Sequence, residues 1–168
     1  MAEEQQNEED VGQEEQNQRQ EDENIVFVNT HEKIDNGLCG DVEELKRGFA
    51  RVSLQTTEVM RADRHGLVHG GFVFSAADYA AMLAVNEKNV VLAAANAQFL
   101  APSRVGDIIT FEAVERQRNG RKRSVFVTGH AYDIKVFEGE FNAVVTDNHV
   151  LNLTLLQNAE EAIEEGTD

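Results

Sequence analysis

The sequence predicts an α+β fold in which a curled antiparallel sheet wraps one long central helix. Three observations carry that prediction. Residues 72–86, FVFSAADYAAMLAVN, are apolar on nearly every side, contain no Gly or Pro, and suffice for about four helical turns. The segments flanking them alternate apolar and polar residues with the period of strands. Between two such segments stands Asn119-Gly120, the strongest short hairpin signal a sequence offers. A helix that is apolar all round must be covered on most faces, so the strands have to curl about it.

The elements follow in chain order. Residues 1–24 hold ten acids, one Arg and a single Val, a composition too polar to bury surface, and are expected to form a disordered acidic tail. One domain is expected over residues 25–158. Residues 42–57 read as a hairpin turning at Lys46-Arg47-Gly48, with Phe49, Arg51 and Ser53 alternating against Ala50, Val52 and Leu54. The stretch from Met60 has charges, glycines and no periodicity, and reads as a loop ending at Gly70 or Gly71. The helix comes next. Beyond Asn89 the pattern is all β: residues 89–100 bounded by Pro102, residues 107–118 leading into Asn119-Gly120, the partner strand 121–134, and a final strand 136–146. Five or six strands result. Residues 159–168 carry five acids and no core pattern, and are expected to fray as an acidic C-terminal tail.

Charge narrows the function classes. The 168 residues carry a formal charge of −16, but the tails account for most of it, leaving fourteen bases against sixteen acids in residues 25–159. A nearly neutral domain with an acidic tail is a poor nucleic-acid binder, since that affinity rests on neutralising phosphates with Lys and Arg. No membrane association is expected either, because the most apolar run, Leu67 to Val85, is interrupted by His69 and Asp78 and holds two glycines. The acidic N-terminus lacks the apolar core of a secretory signal. The lone Cys39 allows no intrachain disulfide and fits a reducing cytosol, so a cytoplasmic protein is expected.

The first residues with chemistry in them are His69-Gly70-Gly71 and Asp78. Two glycines before a helix clear side chains from the first-turn N–H groups, which have no intrahelical partner and could stabilise a carbonyl that gains negative charge. The plain alternative is that they merely permit a tight turn. Asp78 is the only charge between Gly71 and Asn86, and an unpaired buried carboxylate is costly enough that a purely structural helix rarely holds one. Its own alternative is an N-cap of a helix starting at Tyr79. In a helix starting near Gly71, Asp78 lies about 10 Å along the axis and cannot reach a carbonyl held at its own N-terminus. A second, antiparallel copy of the helix centred near Ser75 would supply it, so the site requires a dimer. Rows of small residues, Ala76, Ala80 and Ala84 beside Ala77 and Ala81, would let two such helices pack closely.

The run Val68-His69-Gly70-Gly71-Phe72-Val73-Phe74-Ser75-Ala76-Ala77-Asp78, followed by Phe99-Leu100-Ala101-Pro102 and Val105-Gly106-Asp107, resembles the hotdog-fold acyl-CoA thioesterases of the phenylacetate-pathway (PaaI-like) type. The resemblance covers about residues 38–147. It implies the hotdog fold, a homodimer that often doubles to a homotetramer, and hydrolysis of an acyl-CoA thioester at the dimer interface. It further implies that the Gly71 N–H polarises the thioester carbonyl, while Asp78 of the neighbouring subunit is general base or nucleophile. A polar residue six positions before the His, usually Asn, supports the site; here it is Asp63, which cannot donate a hydrogen bond as an amide does. Either Asp63 fills that role differently, or His65 takes it, or activity is weak. His69 is expected to order the loop rather than to act as a base, and Gly70 to lie against the substrate.

A second cluster is basic: Arg116, Arg118, Arg121, Lys122 and Arg123 surround the Asn119-Gly120 turn. It reads either as a solvated hairpin tip or as a site for the phosphates of coenzyme A, with Arg104 as a further candidate. Asn96 is a further candidate for an inward-pointing site residue, and a satisfied core amide explains it equally well. The five histidines, 31, 65, 69, 130 and 149, lack ligand spacing with one another or with Cys39, so no metal is expected, and no cofactor beyond the coenzyme A of the substrate. Hydrolysis of an acyl-CoA is the leading function; the rival is a non-catalytic acyl-CoA binding or sensing domain on the same fold.

Overall fold

A computed structural model describes residues 26–152, so the expectations for 1–24 and 159–168 lie outside the described residues. The elements are a short helix α1 (Asn36–Cys39), strands β1 (Asp41–Lys46) and β2 (Phe49–Gln55), a 3-10 turn Glu58–Met60, the long helix α2 (Gly70–Val85), and strands β3 (Val90–Phe99), β4 (Ile108–Asn119), β5 (Lys122–Ala131) and β6 (Ile134–Val145). The six strands form one sheet in the order β1-β2-β4-β5-β6-β3, with every neighbouring pair antiparallel. This is the hotdog architecture. Helix α2 packs chiefly on β2, β4 and β5, the middle of the sheet.

The packing follows from the alternation. Val52 and Leu54 of β2, Ile109, Phe111 and Ala113 of β4, Val125 and Val127 of β5, and Phe137 and Phe141 of β6 point inward and are fully buried. Against them lies a helix from Ala76 to Val85 with ten consecutive residues, of which only Asp78 is not buried. Register shifts at Leu92/Ala94, Glu115/Gln117 and Gly129/His130 mark bulges, which bend strands and help the sheet curl.

Several expectations shift. Helix α2 begins at Gly70, two residues before the apolar run, because helix N-terminal positions need no intrahelical N–H acceptor and His69 caps the turn. No helix starts at Tyr79. The β4–β5 turn is Gly120-Arg121, with Asn119 paired to Lys122, since Gly120 at φ +56° takes the first turn position. Residues 121–134 and 136–146 are separated by a turn at Tyr132-Asp133 that the sequence conceals, Tyr132 standing at φ +55°. The alanine rows Ala76, Ala80, Ala84 and Ala77, Ala81 are buried inside the protomer, against its own elements, and are not a free surface for a second helix. Asn96 is exposed on β3, which is an edge strand, and does not point into the core.

The topology gives the molecule two distinct ends. The N-terminus of α2, the 56–69 segment and the 100–107 loop share one end; the turns at 47–48 and 120–121 and the C-terminus of α2 share the other.

Candidate active site

The loop before α2 is fixed by backbone bonds. The His69 N–H donates to Met60 O at 2.9 Å, Val68 N–H to Ser103 O at 2.9 Å, and Ala62 N–H to Leu67 O at 2.7 Å. Asp63 closes the tip: its Oδ1 accepts from the His65 N–H at 2.8 Å and the Leu67 N–H at 3.1 Å. The carboxylate at this position therefore satisfies backbone donors of its own loop, a task for which an acceptor-only group is suited. His65 lies on the exposed rim, its Nε2 3.4 Å from Arg64 Nε.

At the start of α2 the imidazole of His69 acts as the N-cap. Its Nδ1 accepts from the Gly71 N–H at 2.9 Å, so that nitrogen is unprotonated. The Gly71 donor is thus occupied by His69, while the Gly70 N–H has no acceptor among the described residues. A groove of about 340 Å³ opens there, lined by Val68, Gly70, Val73, Phe99, Pro102 and Ser103. Any side chain at Gly70 would narrow it, because a Cβ would come within 3.2 Å of the Phe99 ring. Arg104 is exposed in the neighbouring loop, its N–H donating to Asp107 Oδ2 at 2.7 Å.

Asp78 does not line this groove. It sits two turns along α2, with Oδ1 buried and without a hydrogen-bond partner. Burial raises its pKa from 3.8 to about 6, and no neighbouring charge contributes. The helix face that carries Asp78 also carries Phe72 and Ser75, and these three are only partly buried in a helix otherwise enclosed from Ala76 onward. Ser75 Oγ lies 3.1 Å from Cys39 Sγ, a contact that spacing in the sequence did not announce.

The basic cluster at the opposite end is not uniform. Arg118 forks onto Glu115, with Nε–Oε1 2.8 Å and Nη2–Oε2 3.1 Å. Arg116 stacks over Phe126 at 3.8 Å from the ring centre. Arg121 is exposed, 3.8 Å from Asp147. Arg123 points inward and is buried; its Nη1 donates to the carbonyls of Gly120 and Lys122, while Nε has no acceptor and stands 3.8 Å from Glu115. Lys122 is exposed and forms no ion pair among the described residues. The described residues contain no group of three or more His, Cys, Asp or Glu that could hold a metal, and no helix long and apolar enough to cross a membrane.

With the geometry in place, comparison with known proteins places the chain among relatives. Residues 65–136 match the family described as the thioesterase superfamily. The acyl-coenzyme A thioesterase PaaI of Escherichia coli K12 is 32% identical over 118 residues, which cover 66% of this chain and 79% of that protein. A crystal structure of an uncharacterised protein from Pyrococcus horikoshii superposes with TM-score 0.75 at 42% identity, covering 76% of this chain and 98% of that one. A protein of Aquifex aeolicus VF5 named methylthioribose-1-phosphate isomerase is 51% identical over 117 residues, 70% of this chain; the chain spans only 26% of that relative's length.

Proposed function

The chain belongs to the thioesterase superfamily, and on that footing we propose that it hydrolyses an acyl-CoA thioester to a free acid and coenzyme A at a site shared by two protomers. The observation that carries the reading is Asp78: a carboxylate half-enclosed in an apolar helix, with one oxygen buried and unpartnered. A fold tolerates such a charge at a cost, and a proton acceptor whose pKa lies near the working pH repays it.

The second protomer follows from two surfaces. Strand β3 is a ten-residue sheet edge without a single charge, and Ala93 to Asn96 are exposed on it. Unprotected edges of this kind pair with another strand. The partly buried Phe72, Ser75 and Asp78 lie on the face of α2 where an antiparallel partner helix brings Asp78 toward the other protomer's Gly70. The thioester carbonyl then accepts from the Gly70 N–H, and from the Gly71 N–H once His69 swings aside, at the positive end of the helix dipole. Asp78 of the partner takes a proton from water as the water oxygen adds to the carbonyl carbon. Collapse of the tetrahedral adduct breaks the C–S bond, and the departing thiolate recovers the proton.

The test is thiol release from a panel of acyl-CoA substrates by the full chain. Asp78→Asn is expected to lower kcat at least about a hundredfold while sedimentation still shows the dimer. In the unaltered protein kcat/KM should climb about tenfold per pH unit up to about 6 and then level off, since the base must be ionised. Full activity in the Asn variant removes Asp78 from the reaction. Tight acyl-CoA binding without thiol release makes the domain a sensor.

A further inference from the structure

We infer that Ser75 is a positioning residue for the hydrolytic water: its hydroxyl oxygen, held by the Cys39 thiol, accepts one proton of the water whose other proton Asp78 removes. Resting on the dimeric thioesterase reading above, this names the group that aims the water.

The face of α2 that its own protomer leaves open carries Gly71, Phe72, Phe74, Ser75 and Asp78. Only Ser75 and Asp78 among them have polar side chains, and they stand three residues apart, so the two are neighbours on one side of the helix. A serine inside a helix commonly bonds back to the carbonyl four residues earlier. Here the hydroxyl's partner among the described residues is a side chain instead, Cys39 Sγ at 3.1 Å. That thiol is firmly placed. Cys39 is buried and ends the one-turn helix α1, where Asp35 Oδ1 accepts from the Gly37 N–H at 2.8 Å and Asn36 Nδ2 donates to Gly40 O at 3.1 Å. Gly40 stands at φ +95°, and a Cβ there would come within 2.6 Å of Val52 Cγ1 and 2.8 Å of Ser53 O. Helix α1 is thereby pressed onto β2, and Cys39 is carried against Ser75.

Proton counting shows what the hydroxyl can do. One proton lies between Oγ and Sγ, and either atom can supply it. A hydroxyl has one proton and two lone pairs, so one lone pair stays free if the thiol donates and both stay free if the hydroxyl does. In either case Ser75 Oγ remains an acceptor on the face that bears Asp78. A water that adds to a carbonyl carbon has two protons and must turn a lone pair toward that carbon. Asp78 takes one proton as the C–O bond forms. The other stays on the oxygen throughout, and without an acceptor for it the water can rotate about its bond to Asp78. Phe72 and Phe74 offer none. With Asp78 and Ser75 both accepting from one helix face, the two O–H bonds point toward that face and the lone pairs point away from it, to where the partner protomer would hold the thioester. Ser75 neither forms nor breaks a covalent bond.

Steady-state hydrolysis of one acyl-CoA by the full chain tests this, with sedimentation on each variant to show the dimer. Ser75→Ala should lower kcat about five- to tenfold with KM within about twofold of the parent, and Ser75→Thr, which restores the hydroxyl, should recover most of kcat. Cys39→Ala should lower kcat about threefold, and Cys39→Ser, which keeps a hydrogen-bonding partner, should restore most of that loss. In a chain that already carries Ser75→Ala, adding Cys39→Ala should cost nothing more in kcat, because aim cannot be lost twice, whereas damage to packing would persist. An unchanged kcat in Ser75→Ala overturns the inference, and so do losses that multiply in the double variant. A parent whose thiol release vanishes with Asp78→Asn but is untouched by Ser75→Ala keeps the hydrolase reading and loses Ser75. A parent that releases no thiol from any acyl-CoA ends both.

Discussion

Two buried charged groups, Arg123 at the β4–β5 hairpin tip and Asp78 midway along the central helix, lack a full set of partners, and the fold treats them in opposite ways. Arg123 at the hairpin tip is surrounded by help: two backbone carbonyls accept from it and Glu115 stands 3.8 Å away. Asp78 in the central helix has no such help, and its carboxyl is pushed up to about 6 by burial. The first charge is compensated by the chain's own residues; the second is left for something outside the protomer. A network of compensated charges makes a stable, pre-shaped pocket, whereas an uncompensated one stores reactivity at the expense of stability.

Because the two groups differ in compensation, mutation should move stability in opposite directions. Glu115→Gln should be the largest effect: it strips the carboxylate from Arg118 and from Arg123 together, and leaving a buried guanidinium without its counter-charge costs about 3 kcal/mol. A denaturant titration reads this as a lower midpoint with unchanged slope. An unaffected midpoint would mean the tip is more solvated than its 7% side-chain exposure at Glu115 indicates.

Asp78→Asn should do the reverse. A carboxyl with pKa about 6 in the fold against 3.8 when free is favoured by folding in its protonated form. Stability is therefore lost as pH rises through the window from about 4 to 6, and on the order of 3 kcal/mol is missing at pH 7. The Asn amide escapes that penalty but is itself buried, so a net gain of about 2 kcal/mol at pH 7 is expected. Below pH 4, where the native carboxyl is neutral in both states, only the cost of the buried amide remains and the variant should be less stable by about 1 kcal/mol. A variant less stable than the parent at pH 7 would show that Asp78 has a partner in the assembled protein.

Much of this contrast was visible in the sequence, for identifiable reasons. Asp78 announces itself as one charge in fifteen apolar and small residues, and the helix around it follows from alanine-rich composition. The β4–β5 hairpin follows from its Asn-Gly, displaced by one residue because Gly120 rather than Asn119 takes the first turn position. The turn at Tyr132-Asp133 was hidden, since an aromatic at φ +55° is no turn signal and only the sheet on either side enforces it. Helix α1 is too short for periodicity to register. In the site, composition identifies the basic cluster but not that Glu115 and Phe126 absorb Arg118 and Arg116, because those contacts are made by side-chain packing on adjacent strands. Nor does spacing tell which glycine donor is free: the His69 imidazole could have turned outward, and instead it covers Gly71.

That cap provides the smallest effect. His69 Nδ1 on the Gly71 N–H is a two-residue N-cap at the mouth of the groove, and removing an N-cap costs about 1 kcal/mol. His69→Ala should therefore lower stability by about that amount while uncovering the Gly71 donor. The two consequences oppose each other in catalysis. If the imidazole must leave before the carbonyl can bind both donors, the Ala variant gives up the cap but gains access, and kcat/KM should stay within a few fold of the parent. If instead its outer Nε2–H, the tautomer that an accepting Nδ1 requires, contacts the substrate, kcat falls with no compensating drop in KM. Measuring both parameters beside the unfolding midpoint separates a residue that guards the oxyanion donors from one that takes part in the reaction.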